Sequence, residues 1–266
     1  MRFLTYLIAI IGTALIILFP LSRRLPQLSR EYAVRELIHT AQIVEADIHD
    51  IQNRINDQLR GFASVVALDR DFAMKLIVER DTSATEVTEI AERYMPPMDF
   101  SVLEITTAGG LVLSSGHFPG QAGNITDEQV AILDSIAAFT TDNIKGRDVL
   151  TFQKRVGFEA AGTQFFCSGG LIADSSFVSM IRPRGEVGVI LRHGGEVIGM
   201  DIQTMSEIDN NAIIINDKTY LATTITVPMA GPTGEVELIL LMDEPRKVSL
   251  IDLFGGAQRD KDPSKT

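Results

Sequence analysis

Residues 101–115 read SVLEITTAGGLVLSS, and residues 185–201 read GEVGVILRHGGEVIGMD. In each stretch a short apolar run stops at a Gly-Gly pair and then resumes. Apolar residues at alternate positions predict a half-buried strand, and paired glycines supply the positive φ angles that a tight reversal needs. We therefore expect two β-hairpins, about 85 residues apart, each belonging to one of two similar modules.

The N-terminus carries the strongest single signal. Phe3–Leu21 contains no charged residue and lies between Arg2 and the pair Arg23-Arg24. A helix of about 20 apolar residues matches a hydrocarbon core of about 30 Å. Because no small-x-small cleavage site follows the run, residues 1–24 are predicted to be an uncleaved transmembrane anchor. The flanking arginines alone would favour a cytoplasmic body.

A long helical pattern follows the anchor, over residues 28–66. Its apolar residues recur at intervals of three and four, which makes a heptad-like seam. At 1.5 Å per residue such a helix extends roughly 55–60 Å. The seam fits two arrangements: packing on a sheet of the same chain, or pairing with the same helix in a homodimer. The seam residues are Leu37, Ala41, Val44, Ile48, Ile51 and Ile55.

Other elements are predicted around each hairpin. In the first module these are helices at 69–80, at 86–94 and after a capping box formed by Thr126 and Gln129, with strands at 149–156 and 163–168. In the second module these are a short helix capped by Asp174, a polar stretch at Gln203–Asn211, and strands at Ala212–Asn216, Thr219–Val227 and Glu235–Met242.

This layout predicts an α+β fold, with an N-terminal transmembrane helix and a long helix followed by two PAS-like antiparallel-sheet modules in tandem. In each module a hairpin, a helix or loop, and further antiparallel strands follow one another. The predicted segments are a transmembrane anchor (1–24), a stalk helix (25–68), a first module (69–170), a second module (171–254) and a disordered polar tail (255–266).

Three stretches, one of which contains most of the first hairpin, point to a family. They read LRGFASVVALDRDF (59–72), LEITTAGGLVLSS (103–115) and QFFCSGGLIADSSFVSMI (164–181). In the last, an apolar strand and a Gly-Gly pair precede an acidic residue and a Phe that begin a short helix. With the anchor, they resemble the double Cache sensor regions of bacterial sensor histidine kinases and related receptors.

The resemblance covers roughly residues 28–250. It implies a single-pass protein of the inner membrane with its body in the periplasm or outside the cell. The first module would be membrane-distal and the second membrane-proximal, in a two-component signalling system.

Two features depart from the family pattern. Lys247–Phe254 is too short and too mixed to form a second membrane helix, so either a transmitter domain is lacking or the signal passes to a separate partner. The tyrosine, arginine and aspartate that mark amino-acid-binding Cache domains are not recognisable at matching positions. The resemblance therefore implies no particular ligand.

Composition and motifs exclude several classes of function. The net charge of −11 and the lack of a basic stripe argue against a nucleic-acid partner. The single cysteine, Cys167, lies beside two phenylalanines and is predicted to be a buried strand thiol. Glu45 and His49 are spaced i, i+4 but have no third ligand nearby, so no metal site is expected. With no catalytic motif either, we expect a protein that is not an enzyme and needs no cofactor.

The expected ligand site lies between the concave face of the first sheet and the loops that cross it. The end of the first hairpin reaches the mouth of this site, and alternation over 149–155 places Gln153 and Arg155 on one face. Arg155 can hold a carboxylate through two parallel hydrogen bonds, although a solvent-facing arginine is the alternative. The predicted ligand-binding residues are Ser114, Ser115, His117, Gln153 and Arg155.

Two functions fit these observations. The first is a membrane-anchored extracytoplasmic sensor that binds a small molecule and shifts the packing of the long helix. The alternative is a membrane-anchored scaffold or interaction protein that has the same fold and no ligand.

Overall fold

The structure is a computed structural model of the 266-residue chain. It describes residues 2–126, 131–144, 146–183, 187–199, 205–208, 212–230 and 235–244. Within these ranges it does not describe the side chains of residues 2–23, 25, 26, 131, 132, 207 and 208. The predicted tail and the Gln129 member of the capping box lie outside the described residues.

One helix, α1, runs from Arg2 to Leu68 and joins the predicted anchor and stalk without a break. Pro20 and Pro26 lie inside this helix. Each proline removes one helical hydrogen bond, and the helix-forming residues on both sides allow the helix to continue. Among the residues with described side chains, no helix is long and apolar enough to cross a membrane. The side chains of the predicted anchor, Phe3–Leu21, lie outside that set.

Short helical segments connect the larger elements. They are α2 (Arg70–Ala73), α3 (Thr85–Thr88), α4 (Ile90–Tyr94), α5 (Ala131–Ser135) and α6 (Ser175–Met180), with a π-helical turn at Met74–Val78 and 3-10 turns at Pro96–Met98 and Pro119–Gln121. As predicted, Asp174 caps α6, because its carboxylate accepts hydrogen bonds from the Ser176 and Phe177 N–H groups.

The first sheet has five antiparallel strands in the order β2-β1-β5-β4-β3. They are β1 (Val102–Thr107), β2 (Val112–Ser115), β3 (Ala138–Ile144), β4 (Arg147–Ala160) and β5 (Thr163–Ile172). Strand β3 was not predicted, because its sequence AFTTDNI lacks alternation and is rich in turn-forming residues. Its pairing over its whole length with residues 147–153 of β4 provides the hydrogen bonds that the local sequence does not signal.

The second sheet has six antiparallel strands in the order β7-β6-β11-β10-β9-β8. They are β6 (Gly188–His193), β7 (Glu196–Ile198), β8 (Met205–Ile208), β9 (Ala212–Ile215), β10 (Lys218–Val227) and β11 (Val236–Asp243). Within the polar stretch Gln203–Asn211, for which the sequence predicted no strand, Met205–Ile208 forms an edge strand paired with β9. At the second hairpin, Gly194 and Gly195 have φ angles of 57° and 89°, as the Gly-Gly turn requires.

The seam of α1 packs on the two sheets of its own chain. Val44 is fully buried and Leu37 and Ile55 are 1% exposed, in one apolar core with the inner faces of both sheets. Of the two arrangements that the sequence allowed, the structure therefore shows packing on a sheet. The predicted class, α+β with a long N-terminal helix and two antiparallel sheets, is confirmed.

The two sheets are also joined directly. The Phe139 N–H group donates to the Pro228 carbonyl at 3.3 Å, and the Phe139 carbonyl accepts from the Ala230 N–H group at 2.6 Å. These bonds flank a parallel bridge between Phe139 and Met229. The ring of Phe177, on α6, packs edge-on against Phe139 with 5.7 Å between centroids. The start of β3 is thus tied to the end of β10.

Candidate functional site

The two faces of the first sheet differ in chemistry. Along β1, Leu103 and Ile105 face the apolar core with α1, whereas Glu104 and Thr106 face the opposite side. This follows from the alternation of side chains in a strand. One face is therefore covered by the long helix, and the other presents polar groups.

A cavity of about 230 Å³ lies over the polar face. At about 30 Å³ per water molecule, it has room for roughly eight water molecules. Its wall includes α5 and the segment after β1, and its floor includes β1, β3, β4 and β5. Its lining includes Glu104, Asp142, Gln153, Arg155, Phe166 and Ser168.

At one end of this cavity, an imidazole lies between two carboxylates. His117 Nε2 lies 3.5 Å from Asp142 Oδ2 and 3.8 Å from Glu104 Oε1. The side chain of His117 is only 2% exposed, against 13% for Glu104 and 19% for Asp142. Within the described part of the chain, neither His117 Nε2 nor Glu104 Oε1 has a hydrogen-bond partner. Two polar atoms are thus buried and unsatisfied beside the lining residues Glu104 and Asp142, which costs free energy.

The backbone fixes the orientation of His117. The Leu103 N–H group donates to Nδ1 at 3.4 Å, and the Ser115 hydroxyl lies 3.5 Å from the same atom. A ring nitrogen that accepts a hydrogen bond carries no proton, so in the neutral ring the proton is on Nε2. Nε2 is the ring nitrogen on the side of the two carboxylates.

The three groups shift one another's pKa values. Burial, with a contribution from the Asp142 charge, raises the pKa of Glu104 to about 7. Burial lowers the pKa of His117, but the polar interaction with nearby Asp142 and the two carboxylate charges outweigh it, so the net shift is upward. Burial raises the pKa of Asp142, yet its interaction with the nearby His117 ring and its hydrogen bond from Gln153 bring it below the ordinary value.

Arg155 crosses the cavity wall and is already paired. Its Nε and Nη2 atoms donate to the two carboxylate oxygens of Asp134 at 2.6 and 2.9 Å. Its guanidinium also lies 4.5 Å from the centroid of the Phe166 ring. The two-pronged carboxylate contact that the sequence predicted for a ligand is therefore made by a residue of the same chain.

The described residues near the cavity offer neither a metal site nor a reactive thiol. Among the described residues, no group of three metal-ligating side chains is placed to hold an ion. The proton on His117 Nε2 also occupies the position that a metal would need. Burial raises the pKa of the Cys167 thiol to about 12, which leaves it un-ionised and inert near neutral pH.

The structure places the five predicted ligand residues differently. Gln153 and Arg155 line the cavity, and Ser115 lies beside His117 at its edge. Ser114 points to the opposite side of the sheet, where its hydroxyl donates to the Thr88 carbonyl at 2.7 Å and accepts from the Ala91 N–H group at 2.9 Å. Ser114 therefore ties the sheet to α3 and α4.

Sequence reasoning missed Glu104 and Asp142. Glu104 is the one charged residue in the strand VLEITT, a signal that could have been read as a buried polar site. Asp142 lies on β3, and without that strand nothing in the sequence brings it near His117. The cluster depends on the β3–β4 pairing.

The outer face of the second sheet has no matching polar cluster among its described residues. It carries a cluster of buried apolar residues made of Ile190, Ile213, Ile215, Ala222, Ile239 and Leu241. Arg192, on β6, forms an ion pair with Glu237 of the neighbouring strand. The described polar cavity thus belongs to the first sheet.

Solved structures share this fold. The sensor domain of the Vibrio cholerae histidine kinase DctB matches with a TM-score of 0.52 and 8% sequence identity, over 80% of this chain and 98% of that one. The ligand-binding domain of the Campylobacter jejuni chemoreceptor Tlp3 in complex with 4-methylisoleucine gives a TM-score of 0.49 and 10% identity, over 80% and 92%. That of the Pseudomonas fluorescens chemoreceptor CtaA in complex with L-alanine gives 0.45 and 13%, over 80% and 96%.

The DctB match establishes a similar fold and nothing finer, because the identity is only 8%. The two chemoreceptor matches have TM-scores below 0.5 and support no further argument. No protein-family model matches the sequence, and the comparison with curated proteins returned no match either. The resemblance to double Cache sensor regions is confirmed at the level of the fold.

Proposed function

We propose that this chain is a sensor module that binds a small molecule in the cavity over its first sheet. The observation that carries the proposal is the cavity of about 230 Å³ lined by the carboxylates of Glu104 and Asp142, with the buried His117 imidazole between them. A ligand that hydrogen-bonds to these carboxylates from the cavity would recover part of the cost of their burial. The fold shared with a histidine-kinase sensor domain supports the same function.

The proposal includes a membrane anchor and a body outside the cytoplasm. The uncharged run Phe3–Leu21 supports the anchor, and the double Cache resemblance supports the orientation. Residues 69–170 form the ligand-binding module and residues 171–254 the module that follows it. The signal then leaves through α1 or through a separate signalling partner.

The contacts of β3 provide a route from the cavity to the rest of the molecule. Asp142, on β3, borders the cavity, and Phe139, three residues earlier, bonds to the end of β10. The carbonyl of Ala137, just before β3, accepts a hydrogen bond from Gln52 Nε2 of α1 at 2.9 Å. A ligand that holds Asp142 therefore acts on a strand joined to both the second sheet and the long helix, provided that it binds one arrangement better than the other.

A thermal-shift screen of the full chain tests this proposal. Small amines, alcohols, carboxylates and sugars are screened against the wild type and Ser168→Leu, which fills the cavity floor. The matched control is Ser206→Leu, at an exposed strand position. We expect at least one compound to raise the melting temperature of the wild type and the control but not of Ser168→Leu.

Two results would contradict the proposal. A flat response of the wild type to the whole panel would favour the scaffold alternative. Stabilisation that survives in Ser168→Leu would place the ligand elsewhere in the molecule.

A further inference from the structure

We infer that the ligand of this cavity carries a protonated amino group, which lies against the carboxylates of Glu104 and Asp142. The inference rests on the proposed function and adds the chemical class of the ligand. It is carried by the charges that border the cavity and by which of them already have partners.

The charged side chains that line the described cavity are Glu104, Asp142 and Arg155. The guanidinium of Arg155 is neutralised by the two-pronged contact with Asp134. The two remaining carboxylates share one imidazole, that of His117, which supplies at most one positive charge. When Glu104 is ionised, the cavity therefore keeps an excess of negative charge, and a ligand cation balances it.

An anionic ligand would be repelled by the charges that line the cavity. It would lie close to two carboxylates, and the cation lining the described cavity is already paired. The neighbouring cation, Lys154, is directed away, because its Nζ atom donates to the Asp134 backbone carbonyl at 2.9 Å. Like charges this close in a partly buried site raise the free energy of binding.

An inorganic cation fits less well than an ammonium group. Calcium takes six to eight oxygen ligands, whereas one oxygen of Asp142 already accepts from Gln153 Nε2 at 3.0 Å. An ammonium group needs only acceptors for its three N–H donors. The polar wall offers Glu104, Asp142 and the hydroxyls of the neighbouring threonines and serine.

Binding of an amine is linked to the ionisation of Glu104. The groups that face this carboxyl are Asp142 of β3, His117 and Ser115 near the end of β2, and Ser168 of β5. An ammonium group favours the ionised carboxylate and so competes with its proton. Since the pKa of Glu104 is about 7, affinity should rise about tenfold from about pH 6 to about pH 8.

Isothermal titration calorimetry on the full chain tests the inference with matched probes. The probes are n-butylamine, n-butanol, butyrate and calcium chloride. We expect n-butylamine to bind at least tenfold more tightly than n-butanol, and we expect no binding of butyrate or calcium. Glu104→Gln should weaken n-butylamine at least tenfold and leave n-butanol unchanged. The control Glu159→Gln, at an exposed position of β4, should change neither.

The outcomes separate this inference from the proposed function. Preferred binding of butyrate, butanol or calcium, lost in Ser168→Leu, would overturn the amine class and leave the sensor standing. If nothing in either panel binds, both fail. Should Glu104→Gln not fold, Asp142→Asn replaces it, and unchanged n-butylamine affinity in that variant would overturn the inference.

Discussion

At the residue scale, Glu104 is a carboxyl group in a largely buried environment that disfavours its charge. Its carboxyl lies on a strand whose neighbours are apolar, and Oε1 has no hydrogen-bond partner among the described residues. A buried polar group without a partner usually costs stability and is kept for another reason. Under the proposed function that reason is ligand recognition, so the ligand-free protein should be less stable than a variant with an uncharged side chain at this position.

This gives a pH-dependent prediction for Glu104→Gln. The folded-state pKa of Glu104 is raised from 4.5 to about 7, so its contribution to stability is present below 4.5 and is lost as the pH rises through 7. Glutamine cannot ionise and escapes this loss. Relative to the wild type, the variant should gain on the order of 2–3 kcal/mol between about pH 4.5 and about pH 8.

Urea unfolding of the ligand-free protein at the two pH values measures this gain. The conservative control is Glu159→Gln, whose carboxylate is exposed and should show no such trend. The same difference from the wild type at both pH values would mean that Glu104 titrates normally, and the description of the cluster would be wrong.

At the scale of elements, close packing of β5 on β4 depends on Gly170. A Cβ atom added there would overlap the Phe152 carbonyl oxygen and approach the Gln153 Cα within 2.9 Å. Both are backbone atoms, so the strands themselves would have to separate. Gly61 in α1 is the opposite case, because a Cβ there meets nothing within 4 Å.

We therefore predict opposite effects of alanine at these two glycines. Gly170→Ala should lower the free energy of unfolding by about 2 kcal/mol or more, because overpacking moves the backbone. Gly61→Ala should raise it by about 0.5–1 kcal/mol, the gain of alanine over glycine inside a helix. Chemical denaturation measures the free energy of unfolding of both variants. Equal changes in the two variants would show that β4 and β5 do not approach each other as closely as described.

The elements that sequence predicted are those whose signal is local. The Gly-Gly turns, the Asp174 cap and the seam of α1 depend on residues within one or two turns of each other. Strands β3 and β8 were missed because their own sequences lack alternation, and pairing with the next strand, β4 or β9, stabilises them against weak propensity. For the site, alternation identified Gln153 and Arg155, but the partner of Arg155 came from α5, which no pattern placed nearby.

At the scale of the whole molecule, one apolar core unites the long helix with both sheets. The polar cavity lies on the far side of the first sheet, and β3 connects it to the end of β10 and to α1. The outer face of the second sheet carries a buried apolar cluster, whereas the outer face of the first sheet carries polar groups. The modules thus share a scaffold, while ligand binding is assigned to one of them.

Hydrogen–deuterium exchange of the full chain, with and without a stabilising compound from the screen, tests this assignment most directly. Amides of Val102–Thr107, Ala138–Ile144 and Arg147–Ala160 should exchange more slowly with the compound present, because those strands border the cavity. Amides of Met205–Ile208 and Ala212–Ile215 should change little. Protection confined to the second sheet would contradict the account.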